Sequence, residues 1–124
     1  MATEQSDKAK WLKARESDWP LGDGKKFVIR RPVWVEYFKW AQLGNDILLR
    51  NCIVGWRGFA HDDFEGGNDK DPVDFDLELA CGWIGDRPEM FLELANHILE
   101  LVNARQDALK GDRGNLPAPS PITS

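Results

Sequence analysis

The 124-residue chain is poor in the side chains that most enzymes and metal sites require. It has two histidines and two cysteines, and neither cysteine belongs to a CxxC pair. HExxH, GxSxG and phosphate-loop patterns are also missing. The sequence therefore gives no motif for a zinc site, a catalytic nucleophile or a nucleotide-binding site. Cys52 and Cys81 lie 29 positions apart in apolar surroundings. This favours two free thiols in a reducing compartment and leaves a disulfide as the alternative.

Long apolar runs and an excess of positive charge are also lacking. No stretch approaches the roughly 18 apolar residues of a membrane-spanning helix, and the polar N-terminus predicts no signal peptide. The formal net charge of −5 argues against a general nucleic-acid binder, because phosphates require a basic surface. The charge is uneven, with +3 over residues 1–31 and −7 over residues 62–78.

The acidic segment is the one place where catalysis or metal binding could be sought. His61 lies beside Asp62 and Asp63, which would suit a small hydrolase or metal enzyme, but a histidine in a solvated loop is the simpler interpretation. A calcium loop of the EF-hand type fails in register, because starting at Asp63 or Asp69 leaves no oxygen ligand at position 5. The sequence therefore predicts no catalytic residue, no cofactor and no metal.

Aromatic side chains, in contrast, are abundant, with six Trp and six Phe. Such residues fill cores or anchor interfaces. Several share one arc of the helix predicted after Pro32, and the last predicted helix is apolar over about half of its circumference. From these two surfaces we predict that the following residues contact a partner or a second copy of the chain: Trp34, Tyr37, Phe38, Trp40, Phe91, Leu92, Leu99 and Val102.

Hydrophobic periodicity predicts a mainly α fold. Phe27-Val28-Ile29 is the only convincing strand signal, whereas residues 47–54 are apolar nearly all round a helix. Asp71 and Pro72 are typical of a helix cap and first turn, and a long amphipathic helix is expected over about residues 87–109. We expect a small helical domain with one short β element near the N-terminus and a disordered C-terminal tail.

The same patterns divide the chain into three parts. Residues 1–18 are expected to form a leader with a short surface helix over about 7–16, and residues 19–109 the helical domain. Residues 110–124 are rich in Gly and Pro, so they are expected to be a disordered tail.

From Asn51 to Gly58 the chain resembles the tail assembly chaperones of long-tailed, siphovirus-type bacteriophages. In those proteins an apolar helical run ends in a Gly-Trp-x-Gly turn, here with Gly55, Trp56 and Gly58 as its structural residues. An Asp/Gly-rich loop follows, then a short helix opened by a phenylalanine, here Phe75. A proline-containing acidic turn, Arg87-Pro88-Glu89, leads into a long helix. The likeness covers roughly residues 27–105.

The resemblance implies a non-enzymatic, mainly helical, self-associating chaperone-like protein in the host cytoplasm. It would bind the tape-measure protein, prevent its aggregation and leave as tail-tube subunits polymerise. Such genes often yield a longer product by ribosomal frameshifting. The main alternative is a small acidic inhibitor or immunity-type protein that mimics DNA through residues 62–78. An acidic mimic would lose its partner steeply as salt rises, whereas an apolar surface would not.

Overall fold

The computed structural model describes the backbone of residues 2–113 and the side chains of residues 6–111. Within this part of the chain, helices precede, interrupt and follow three short strands. The elements in chain order are α1 (Ala2–Ala14), β1 (Glu16–Gly22), β2 (Lys25–Arg30), α2 (Trp34–Leu43), α3 (Asn45–Cys52), β3 (Ile53–Arg57), α4 (Asp62–Glu65), α5 (Leu77–Gly85) and α6 (Pro88–Arg113).

The three strands form one antiparallel sheet in the order β1-β2-β3. β1 and β2 are joined by Asp23 and Gly24, and both residues have positive φ, as a two-residue type I′ hairpin turn requires. Side chains alternate between the faces of a strand, so Phe27 and Ile29 of β2 are both completely buried. One face of the sheet is therefore part of the core.

The core lies between this face of the sheet and helices α3, α5 and α6. Trp83 of α5 meets Phe27 edge-on, with the ring centroids 6.0 Å apart, so the sheet and α5 are packed directly together. The buried cluster comprises Phe27, Ile29, Leu48, Leu49, Cys52, Ile53, Phe59, Ala80, Trp83, Ile84, Leu94, Ala95 and Ile98.

The prediction of a mainly α fold with one short β element was wrong, because the three-stranded sheet makes this an α+β fold. β1 was missed because it is polar, contains Pro20 and is an edge strand, where a missing N–H is tolerated. β3 was missed because it follows α3 without a break: the helix ends at Cys52 and the strand begins at Ile53. A continuous apolar run fits a buried helix or a buried strand equally well.

The amphipathic helices were predicted more successfully. The long C-terminal helix is confirmed and extends to Arg113, and the strand signal at Phe27-Val28-Ile29 is confirmed as the centre of β2. The N-terminal helix is α1, which ends at Ala14, two residues before β1 begins. The predicted division at residue 18 falls within β1.

The start of α5 differs from the prediction. Asp71 was expected to cap this helix, but the cap is Asp76, whose carboxylate accepts the backbone N–H of Leu79 at 3.0 Å. Pro72 instead forms an isolated bridge with Ala60. Both aspartates precede an apolar stripe, so composition alone could not choose between them.

The predicted C-terminal tail lies mostly outside the described residues. Its first four positions, 110–113, belong to α6, and positions 114–124 are outside the described part of the chain. Among the described helices, none combines the length and apolar character that crossing a membrane would require.

Candidate binding surface

The outward side of α2 is the most apolar exposed helix surface in the described chain. No residue of α2 is fully buried. Four large apolar side chains remain open to solvent and define what we call the α2 surface: Trp34 (49% exposed), Val35 (67%), Phe38 (51%) and Leu43 (64%). Contiguous exposed apolar side chains on a folded protein commonly mark an interaction site.

Trp34 and Phe38 form a stacked pair at the centre of this surface. Their ring centroids lie 5.3 Å apart with an interplanar angle of 19°. Residues four apart lie above one another on a helix, so the spacing alone brings the two rings together. The pair offers a broad, flat apolar area already held in one orientation.

The predicted aromatic arc divides into an outward and an inward half. Trp34 and Phe38 face solvent, whereas Tyr37 and Trp40 are half-buried and pack against the core. The sequence analysis did not predict Val35 and Leu43 as surface residues. Both are apolar and lie outside the aromatic arc, so if the arc packs on the core they would be expected to face solvent. The α2 surface is therefore wider and shifted round the helix relative to the prediction.

The residues predicted as contacts on the last helix also differ from one another in exposure. Leu92 is 53% exposed and Leu99 is half-buried. Phe91 is half-buried and packs against the core, while Val102 is almost completely enclosed, at 1% exposure. Leu92 is thus the predicted residue of α6 that is most available to a partner.

The Gly-Trp-x-Gly residues occupy the end of β3 rather than a turn that terminates a helix. Gly55 and Trp56 lie within β3, and Gly58 follows the strand with φ +82°. A Cβ atom at Gly58 would lie 2.3 Å from the carbonyl oxygen of Gly24. The turn after β3 therefore requires glycine at this position for both its backbone conformation and its close approach to the hairpin.

Trp56 anchors the acidic segment to the sheet. Its indole Nε1 donates to the backbone carbonyl of Val73 at 2.8 Å. Its ring stacks on Phe59 at 4.5 Å and Phe64 at 5.5 Å, and meets Phe75 edge-on at 5.4 Å. These contacts hold residues 59–75 against β3 through Trp56.

Three of the eight acidic side chains in residues 62–78 form ion pairs within the described part of the chain. Asp63 lies 2.9 Å from the ammonium group of Lys25 and accepts the backbone N–H of Ala60 at 2.7 Å. Burial alone would raise the pKa of Asp63, but these two partners lower it below its usual range. Asp62 pairs with Lys70 at 2.5 Å. The surface charge of the segment is therefore smaller than its sequence suggests.

The remaining candidate chemistry is sparse. His61 is half-buried and its backbone N–H donates to the carbonyl of Asp71 at 3.0 Å, within the loop. Cys52 and Cys81 are free thiols, and burial raises the pKa of Cys52 to about 12. In the described part of the chain, no group of three or more His, Cys, Asp or Glu side chains is placed to hold a metal ion.

Comparison with known proteins adds no family to this description. No protein-family model matches the chain, and no match was found among curated proteins or solved structures.

Proposed function

We propose that this protein is a non-enzymatic tail assembly chaperone of a long-tailed phage, which binds the tape-measure protein through the α2 surface. The observation that carries the proposal is the exposed, stacked pair of Trp34 and Phe38, on a helix that also exposes Val35 and Leu43. Side chains of this size are costly to leave in water, so their exposure is explained by a partner that covers them.

An apolar helix is the partner that best suits this surface. An amphipathic helix presents apolar anchors every three or four residues, and such anchors can pack on either side of the ring pair. A tape-measure protein consists of long helical stretches whose apolar faces require covering before the tail tube assembles. Many copies of a small carrier along one long helix would meet that requirement.

The resemblance supplies the identity of the client. The Gly-Trp-x-Gly residues, the acidic loop, the short helix and the long helix occur in the order of the chaperone family. The antiparallel sheet departs from the mainly helical fold that the resemblance implies, so support comes from the order of the motifs and the exposed α2 surface. Location in the host cytoplasm and release as tail-tube subunits polymerise belong to the same proposal.

Self-association is a further part of the proposal. Leu92 is a large exposed apolar residue on α6 and lies on a different helix from the α2 surface. A contact between copies at Leu92 would leave Trp34 and Phe38 open for the client. The two functions can therefore be separated by mutation.

The alternative of an acidic inhibitor is less well supported by the side-chain environments. Asp62 and Asp63 pair with lysines, Asp76 caps α5 and Glu78 pairs with Arg50. A mimic of DNA needs such carboxylates free to meet a basic partner. Partner binding that weakens steeply with salt would favour this alternative, whereas binding through the α2 surface changes little with salt.

The nucleotide sequence through and downstream of the gene tests the proposal without a binding assay. A slippery heptamer near the last codons, an overlapping frame and a very long helical reading frame are expected. An isolated gene beside a nuclease or toxin gene would contradict the chaperone assignment and favour the acidic inhibitor.

A further inference from the structure

A cavity rich in arginine lies where the end of α1, the end of β2 and the start of α2 meet. Its volume is about 140 Å³, and its lining includes Arg15, Arg30, Arg31, Glu36 and Trp40. One water molecule occupies about 30 Å³ in the liquid, so the cavity has room for a group of several heavy atoms. Two of its lining residues, Glu36 and Trp40, belong to α2. Helical spacing places them on the side of α2 away from Trp34 and Phe38.

Arg15 lines this cavity and has buried hydrogen-bond donors without a partner. Its side chain is buried, with the residue only 8% exposed, and its Nε and Nη1 atoms have no hydrogen-bond partner. The nearest carboxylate oxygen, Oε1 of Glu36, is 3.7 Å from Nη1, which is too long for a hydrogen bond. The buried Nε of Arg30 also has no partner. Unpaired guanidinium donors are costly to bury.

The charges around the cavity leave a positive surplus. Three arginines face two carboxylates, since Glu16 pairs with Arg30 at 3.1 Å and Glu36 lies near Arg15. Burial, and then the positive charges of Arg105 and Arg15, lower the pKa of Arg31. An added negative charge would reduce this surplus.

We propose that this cavity binds a carboxylate, supplied by an acidic side chain of a partner peptide. A carboxylate carries a negative charge and two oxygens that can accept hydrogen bonds from the arginine donors that lack partners. A nucleic acid fits less well, because one cluster of arginines in a protein with a net charge of −5 does not form an extended phosphate-binding surface. Any acidic peptide whose side chain reaches the cavity could supply the group, whether or not it belongs to a tape-measure protein.

Titration of the full-length protein with sodium acetate tests this proposal. At constant pH and ionic strength, the Nε–Hε signals of Arg15 and Arg30 in ¹⁵N NMR spectra should shift and reach saturation. The matched control is the Nε–Hε signal of Arg57, an exposed arginine at the end of β3, which should not saturate. A cavity that holds only water would give no saturable shift at Arg15, and that result would overturn the proposal.

A parallel titration with sodium phosphate identifies the source of the anion. Acetate should saturate the Arg15 signal at lower concentration than phosphate at equal ionic strength. Tighter binding of phosphate would overturn the assignment to a peptide carboxylate and indicate a phosphate-bearing ligand.

Substitution of Arg15 tests whether acetate binds at this cavity. Acetate should raise the thermal midpoint of the wild type and of Arg57→Met, and this rise should be lost in Arg15→Met. A rise retained in Arg15→Met would contradict the proposal. Should Arg15→Met fail to fold, Arg30→Gln gives the same comparison, and the wild-type NMR titration stands without either variant.

Discussion

Replacing Trp34 and Phe38 together by serine removes the stacked pair from the α2 surface without opening the core. About half of each side chain is already in water, and serine is close to both aromatics in helix propensity. The loss of stability includes the contact between the two rings, about 1 kcal/mol, and the burial of the covered half of each ring. Neither residue belongs to the core cluster, so the variant should remain folded and helical but be less stable than the wild type.

The effect on binding follows from the exposed half of each ring. A large aromatic side chain buries roughly 200 Å² when it is fully covered, so a half-exposed ring leaves about 100 Å² for a partner to cover. At about 25 cal/mol per Å² this corresponds to about 2.5 kcal/mol for each ring. Fixing each side chain at an interface costs about 1 kcal/mol. The two rings together then contribute about 3 kcal/mol, which corresponds to roughly a 100-fold change in Kd.

The assay is a titration of the purified tape-measure protein from the same phage genome with the wild type and the double variant. Leu79→Ser on α5 is the control, because it removes an exposed apolar side chain, 38% exposed, from outside both predicted surfaces. We expect the control to bind as the wild type does. A folded double variant with wild-type affinity would refute the argument that the α2 surface holds the client.

Three further substitutions or treatments test other parts of the structure. Gly58→Ala should lower the free energy of unfolding by about 3 kcal/mol, since strain and overlap with the hairpin add. Gly66 has a similar φ but open space around it, so Gly66→Ala should lower the free energy of unfolding by about 1–2 kcal/mol in the same denaturation experiment. Equal decreases for the two variants would contradict the close approach of Gly58 to the hairpin. Leu92→Asp should shift the mass measured by light scattering toward the monomer while helicity survives, and an unchanged mass would exclude α6 as the contact. Cys52 should resist iodoacetamide at neutral pH in the folded protein. Its pKa of about 12 exceeds that of an unfolded thiol, about 8.5, so its contribution to stability is complete below about pH 8.5 and is lost as pH rises toward 12.

Sequence reasoning succeeded where one periodicity dominates a long segment. The apolar stripe of α6 continues over many turns, so local exceptions such as exposed Leu92 did not disturb the prediction. The strand centred on Val28 has β-branched and aromatic neighbours and charged flanks, and it was also found. Its partner strands were not, because β1 is held by pairing at the edge of the sheet rather than by an apolar pattern of its own.

The same limit applies to the candidate site. Helical spacing placed the aromatic residues of α2 on one arc, but it could not determine which of them meet the core. That choice depends on where α3 and α6 lie, and as a result Tyr37 and Trp40 are inward while Val35 is exposed. Buried Arg15 could not be anticipated either, because its surroundings come from α1, β2 and α2 together.

Suppression of tape-measure aggregation tests the central claim most directly. The tape-measure protein is diluted from denaturant into buffer that contains the wild type or the Trp34→Ser, Phe38→Ser double variant, and light scattering is followed. The proposal predicts that scattering stays near the baseline with the wild type and rises with the double variant. Scattering that rises equally with the wild type would contradict the chaperone function, and equal suppression by both would contradict the role of the α2 surface.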